Sequence, residues 1–265
     1  MKYYVVNAFT DTLFGGNPAG VCLCDKPLDE QAMQNIAMQN NLSETAFVLK
    51  TTDGYSLRWF TPKVEIELCG HATLGTAFVL MNYVDQLMTN VSFETKSGTL
   101  TVVKENDFYT LNFPPFITKP YNTPNFLEQA LGEKVNETRL SRDLLVVLEN
   151  ENAVINACPD FDLLASIKEA HGVIITAKGD NCDFVSRFFA PNMGINEDPV
   201  TGSAHCSLIP FWSKRLGKSK MTVRQLSKRG GVLFCEDCGE RVKIGGKAVC
   251  YLKGEIEISE RIKNE

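Results

Sequence analysis

Basic charge is the first thing this sequence has little of. Twenty-seven Lys and Arg stand against 32 Asp and Glu, a formal net charge of -5. No basic field is available to draw in a polyanion, which sets nucleic-acid binding aside. No stretch approaches the roughly 20 apolar residues a membrane helix needs, so no membrane segment is expected. The apolar run 1–7 is too short for a signal peptide, and Asp11 follows soon after. Complete metal-ligand sets are lacking too. Cys22-x-Cys24 and Cys235-x-x-Cys238 are close pairs, but no second close pair or His pair makes either of them a four-ligand zinc site. Both pairs are taken as buried or idle thiols, since the second also lacks the positive, helix-starting setting of a redox motif. Nine cysteines, an odd number, fit reduced thiols in a reducing compartment, and a cytoplasmic location is expected.

What is present is core material. Hydrophobic residues make up 44 % and charged residues 22 % of 265, a globular balance with length enough for two domains. Strand patterns dominate: 2–9, 46–50, 55–60, 91–95, 99–104, 108–113, 144–148, 173–176, 183–190, 232–235 and 247–252. Asp53-Gly54 and Gly245-Gly246 have the chemistry of hairpin turns. Asp29 is placed to cap an amphipathic helix carrying Ala32, Met33, Ile36 and Ala37, with Leu28 as a staple onto Met33. Short helices are expected from Thr123-Pro124 to Gly132 and over 160–170. Two further helices, 72–83 and 203–212, are apolar nearly all round, which predicts burial on every face. Pro210 is expected to kink the second or begin a new turn.

A faint self-match organises these elements. Arg58-Trp59-Phe60-Thr61-Pro62 resembles Arg187-Phe188-Phe189-Ala190-Pro191, 129 residues later. At that offset Cys69 pairs with Asp198 and Ala77 with Cys206. In each copy a strand ends in Pro, an acidic loop follows, and a small-residue turn enters a buried helix. This predicts a duplicated fold of two domains, 1–115 and 116–265, with strands wrapped around two central helices. The turns 70–72 and 201–203 set backbone N–H groups at helix N-termini, which favour anions. If a pseudo-twofold axis brings the two turns together, the cleft between the halves has two anion-favouring walls, which suit a small carboxylate-bearing substrate and equally a phosphate.

Five segments in order carry a family resemblance: Gly16-Asn17-Pro18-Ala19-Gly20-Val21, Ser43-Glu44-Thr45-Ala46-Phe47-Val48, Leu68-Cys69-Gly70-His71-Ala72-Thr73-Leu74-Gly75, the Arg187 segment, and Glu197-Asp198-Pro199-Val200-Thr201-Gly202-Ser203-Ala204-His205. Together they resemble the PhzF-like isomerases of phenazine biosynthesis, relatives of diaminopimelate epimerase. The resemblance runs from the first strand to about residue 250. It implies an α+β fold of two pseudo-symmetric domains, each a β-roll around a central helix. It also implies a homodimer, no metal, no organic cofactor, and cofactor-independent proton transfer on a small carboxylate-bearing substrate.

Carried onto this chain, the resemblance makes Glu44 the general acid/base, His71 a neutral donor or relay, and Asp198 a holder of a substrate amino group or of the relay. Asn17, Ser43, Gly70, Thr201, Gly202 and Ser203 become substrate-binding residues. Without the resemblance, Glu44 would be a solvated loop carboxylate, and Asp198 and Thr201 helix caps. Cys69 is the departure. Epimerase relatives use one cysteine per half, and here the pairing partner is Asp198. A racemase or epimerase using Cys69 and Asp198 is the alternative, and a non-catalytic binding protein on the same fold is a second.

Overall fold

The computed structural model describes residues 1–258. The charged tail 259–265, expected to fray, lies outside the described residues. Backbone contacts divide the chain into two compact units, 1–111 together with the segment from Gly246 on, and 112–245.

In the first unit, β1 (Lys2–Ala8) pairs antiparallel with β2 (Asn17–Cys24). The α1 helix (Glu30–Asn40) connects β2 to a parallel neighbour, β3 (Glu44–Lys50), as parallel pairing requires a crossover. β4 (Tyr55–Phe60) returns antiparallel and carries the short β5 (Glu65–Ile66). After α2 (Gly70–Val79), β6 (Asn90–Thr95) lies parallel to β4, and β7 (Gly98–Glu105) and β8 (Phe108–Phe113) continue antiparallel. α2 packs on β1, β2, β3 and β7, so the sheet curls around it. Its residues 71–77 and Val79 are buried, which is what a helix apolar on all sides predicts. A π-helical turn, Leu80–Val84, finishes it.

α1 covers the outer face. Asp29 caps it by accepting from Ala32 N at 2.7 Å, and Leu28 packs on the group around Met33, Ala37, Phe47 and Phe60. With helices on both faces, β3 is buried over 44–48 without alternation.

The second unit repeats this order. After β9 (Lys119–Pro120) and α3 (Leu127–Leu131), β10 (Glu137–Leu140) is antiparallel to β11 (Leu144–Val147). α4 (Glu151–Asn156) and α5 (Phe161–Ala165) lead to β12 (Val173–Lys178), parallel to β11. β13 (Phe184–Ala190) and β14 (Ile195–Asp198) follow antiparallel. α6 (Gly202–Leu216) precedes β15 (Lys220–Gln225), which is parallel to β13, then β16 (Gly231–Asp237) and β17 (Val242–Gly246). Each pairing from β1 to β7 thus has a counterpart from β10 to β16. The duplication extends to side chains. Arg58 holds Glu65 at 2.7 Å and stacks over Phe60, while Arg187 holds Glu197 at 2.7 Å and stacks over Phe189.

Four expectations change. The last strand, β18 (Ala248–Glu255), is antiparallel to β1 and belongs to the first unit, not to a continuous second half beginning at 116. A backbone pairing across the whole length of the chain carries no signal in local pattern. Gly245-Gly246 is no hairpin turn. Gly245 sits inside β17 opposite Phe234 of β16, and the chain passes on into β18, whose partner is β1. The expected helix 160–170 is the shorter α5, capped by Asp160, and α4 was not foreseen. Finally, α6 runs on through Pro210. A proline there removes the N–H that would reach the Cys206 carbonyl. Phe116 N donates to that carbonyl instead, at 2.9 Å.

The repeat register also shifts once. Arg58 to Arg187 spans 129 residues, but the helix starts Gly70 and Gly202 are 132 apart. A 3-10 turn, Pro191–Met193, closed by left-handed Gly194, lengthens the second loop. Cys69, the residue before α2, therefore matches Thr201, not Asp198, and Ala77 no longer matches Cys206. Both capping residues have extended backbone, φ -142° and -112°.

Candidate active site

Three segments of the first unit converge at the start of α2. Gly16 turns the chain into β2 with φ 64°, and a Cβ there would lie 2.2 Å from the Ala8 carbonyl oxygen, so the turn requires glycine. It delivers Asn17, the first residue of β2. α1 closes on Asn41, left-handed at φ 50°, whose N–H returns to the Ala37 carbonyl at 3.1 Å. Three residues later Glu44 opens β3, adjacent to Ala19 of β2. Cys69 and His71 flank Gly70 at the beginning of α2.

His71 Nε2 lies 3.0 Å from Glu44 Oε2. The contact is an ion pair off the hydrogen-bond line, and neither atom has a well-aligned hydrogen bond. On the ring's other side, Asn17 Nδ2 is 3.3 Å and Cys69 Sγ 3.6 Å from Nδ1. In the neutral ring, with Nδ1 accepting from the Asn17 amide, Nε2 carries the proton and faces Glu44. Glu44, Cys69 and His71 are 8 %, 6 % and 5 % exposed.

Burial pulls the His71 imidazole down, but the Cys69 sulfur and the Glu44 carboxylate outweigh it and hold the ring well above the ordinary histidine range. That direction runs opposite to the one expected from the helix N-terminus alone. A carboxylate at 3.0 Å in a buried setting outweighs the partial charge of a helix end. Burial pushes the Cys69 thiol up, against the pull of His71. Ser43 is half-buried just before Glu44.

In the second unit, Asp198 ends β14 and Thr201 precedes α6. Asp198 is not the helix cap. It accepts from Thr201 Oγ1 at 2.5 Å. Thr201 N donates to Gln225 Oε1 at 2.9 Å, and Gln225 Nε2 donates to the Asp198 carbonyl at 2.8 Å. Gln225, 1 % exposed, escaped the sequence reading. Its signal was available: 221, 223 and 225 share the inward face of β15, and glutamine is the polar member. His205 approaches the Thr201 carbonyl through Nδ1 at 2.7 Å, and burial brings it down to about 4. Gly202 is buried and Ser203 half-buried in the first turn.

An α+β arrangement made twice over is the diaminopimelate-epimerase-like fold. A hydroxyproline epimerase from Agrobacterium vitis shares the fold, with TM-score 0.63 at 10 % identity over 96 % of this chain and 91 % of its own. The chain belongs to the phenazine biosynthesis-like PhzC-PhzF family, whose model matches residues 6–254. A PhzF-family protein from Enterococcus faecalis has TM-score 0.95 at 49 % identity, covering 97 % of this chain and 99 % of that one. An uncharacterized isomerase of Pseudomonas aeruginosa is 47 % identical over 97 % of this chain and 99 % of its own length. The protein is an isomerase of this family. Among the described residues, no helix is long and apolar enough to cross a membrane.

Proposed function

We propose that the protein moves a proton on carbon in a small carboxylate-bearing substrate, with Glu44 taking and returning the proton and His71 as its relay. The observation that carries this reading is the buried Glu44–His71 pair at 3.0 Å, whose facing atoms are not committed to other hydrogen bonds. A carboxylate that both abstracts and returns a proton must face its substrate and not be locked in a structural pair. A charged His71 also favours an anionic substrate, and the first-turn N–H groups of α2 at Gly70 and His71 suit a carboxylate. Asn17 borders the same helix start through its contact with His71, and Ser43, next to Glu44 in the chain, is a further binding candidate. Asp198 and the start of α6 at Thr201–Ser203 are further substrate-binding candidates, and a homodimer is the expected assembly.

One contact favours a second reading. Cys69 Sγ sits 3.6 Å from His71 Nδ1, as a thiol acid/base of an amino-acid racemase would. Its structural counterpart, however, is the hydroxyl of Thr201, so a matched thiol pair is absent. The test is incubation in deuterated water with amino-, hydroxy- and cyclohexadiene carboxylates, read by NMR and mass spectrometry. Deuterium entering at carbon and lost in Glu44→Gln supports the isomerase reading. Inversion that needs Cys69 and survives Glu44→Gln replaces it with the racemase.

A further inference from the structure

The same cluster has a second chemical character. Among the described residues, Glu44, Cys69 and His71 are the one group of three ligand-type side chains whose donor atoms lie within 4.8 Å of one another. We propose that this triad is a binding site for a thiophilic divalent cation, Zn²⁺ above all, and that such an ion shuts the site. Two tetrahedral zinc ligands, one sulfur and one nitrogen, stand roughly 3.6 Å apart. Cys69 Sγ and His71 Nδ1 are already at 3.6 Å. The Glu44 carboxylate stands at the ring's other nitrogen, 3.0 Å from Nε2, so the three-ligand set forms when the imidazole turns to bring one nitrogen toward both thiolate and carboxylate; with one donor atom from each residue the three already lie within 4.8 Å of one another. Glu44 Oε2 and His71 Nε2 are buried and lack aligned hydrogen bonds, so the inward-facing polar atoms are not saturated by protein. A thiolate with an imidazole selects zinc or cobalt over magnesium or calcium, which prefer oxygen. The set is also compatible with exchange: three protein ligands leave a fourth position open, and each residue keeps 5–8 % exposure.

Coordination releases two protons to solvent, one from the Cys69 thiol and one from the coordinating nitrogen of the charged His71 ring, and occupies the carboxylate and imidazole. The loss of proton transfer that follows rests on the isomerase reading, whereas the binding does not.

The experiment uses the full-length protein, stripped with chelator, and Co²⁺ as a spectroscopic stand-in. One equivalent is expected to give a sulfur-to-cobalt charge-transfer band, which Zn²⁺ then removes. The band should vanish in Cys69→Ser and persist in the Cys158→Ser/Cys238→Ser control, whose thiols are the exposed ones. Glu44→Gln should keep the band but weaken Zn²⁺ binding at least about tenfold, the loss that even an outer partner of a metal ligand causes. It also decides the matter should Cys69→Ser not fold. A missing band, a band that survives Cys69→Ser, or unchanged affinity in Glu44→Gln overturns the site. A band with deuterium exchange undisturbed by Zn²⁺ keeps the site and overturns the inhibition.

Discussion

The two central helices begin alike and are used differently. α2 starts from Cys69 and α6 from Thr201, each in extended backbone, each followed by glycine and a buried helix. At the first, a carboxylate, an imidazole and a thiol crowd together with few hydrogen bonds among them. At the second, Asp198, Thr201 and Gln225 are tied by bonds of 2.5, 2.8 and 2.9 Å. Groups fully hydrogen-bonded to one another are committed to holding a shape. Groups brought close without being satisfied retain the capacity to react. Duplication thus left the two helix starts differently bonded, and under the proposed function the first is the one arranged for proton transfer.

The sharpest way to break that comparison is to remove the two acids one at a time. Glu44→Gln should lower carbon-bound proton exchange by at least about 100-fold, the low end for a positioned acid or base. Asp198→Asn should cost far less, since its carboxylate already serves Thr201. Equal losses in the exchange assay would mean that the second helix start is as chemically engaged as the first.

The two buried histidines give opposite pH signatures. His71 is raised by its partners, so its contribution to stability is full below the ordinary imidazole value of about 6.5. It is lost as pH rises through the raised value. His205 is lowered by burial to about 4. Its contribution is full above about 6.5 and is lost as pH falls toward about 4, by at most about 3 kcal/mol. Urea unfolding across pH should show an alkaline limb that His71→Asn flattens and an acid limb that His205→Phe flattens. One limb answering to the other histidine would reverse the charge states assigned here.

Much of this was open to the sequence. The strand periodicity, the two all-apolar helices and the Arg58/Arg187 match gave the duplicated fold, because each depends on local pattern. The positions of Glu44 and His71 came from the family resemblance, not from pattern, since a loop glutamate and a helix-start histidine have ordinary explanations. What escaped depended on distance along the chain. β18 pairs with β1 across nearly the whole sequence, and the three-residue 3-10 insertion moved Cys69's counterpart from Asp198 to Thr201. Offset counting cannot detect an insertion placed inside a loop. The contact of His71 with Glu44 was hidden for a related reason: the two are 27 residues apart in sequence and 3.0 Å apart in space.

The smallest expected effect tests whether the second helix start is structural. Gln225→Leu keeps the volume and the inward direction of the side chain but removes both halves of the amide. Thr201 N then loses its acceptor in a buried setting, and the Asp198 carbonyl its donor in a half-buried one. A buried unsatisfied group costs about 1–3 kcal/mol, so the urea midpoint should fall while its slope stays the same. Gln225→Glu is the discriminating companion. It can still accept from Thr201 N, but it loses the donor and sets a second carboxylate beside Asp198, so it should be no more stable than the leucine variant. In both, proton exchange should persist to within about tenfold, well short of the Glu44→Gln loss. Exchange that collapses in a variant whose unfolding midpoint barely moves would assign Gln225, and the helix start it holds, to the chemistry itself.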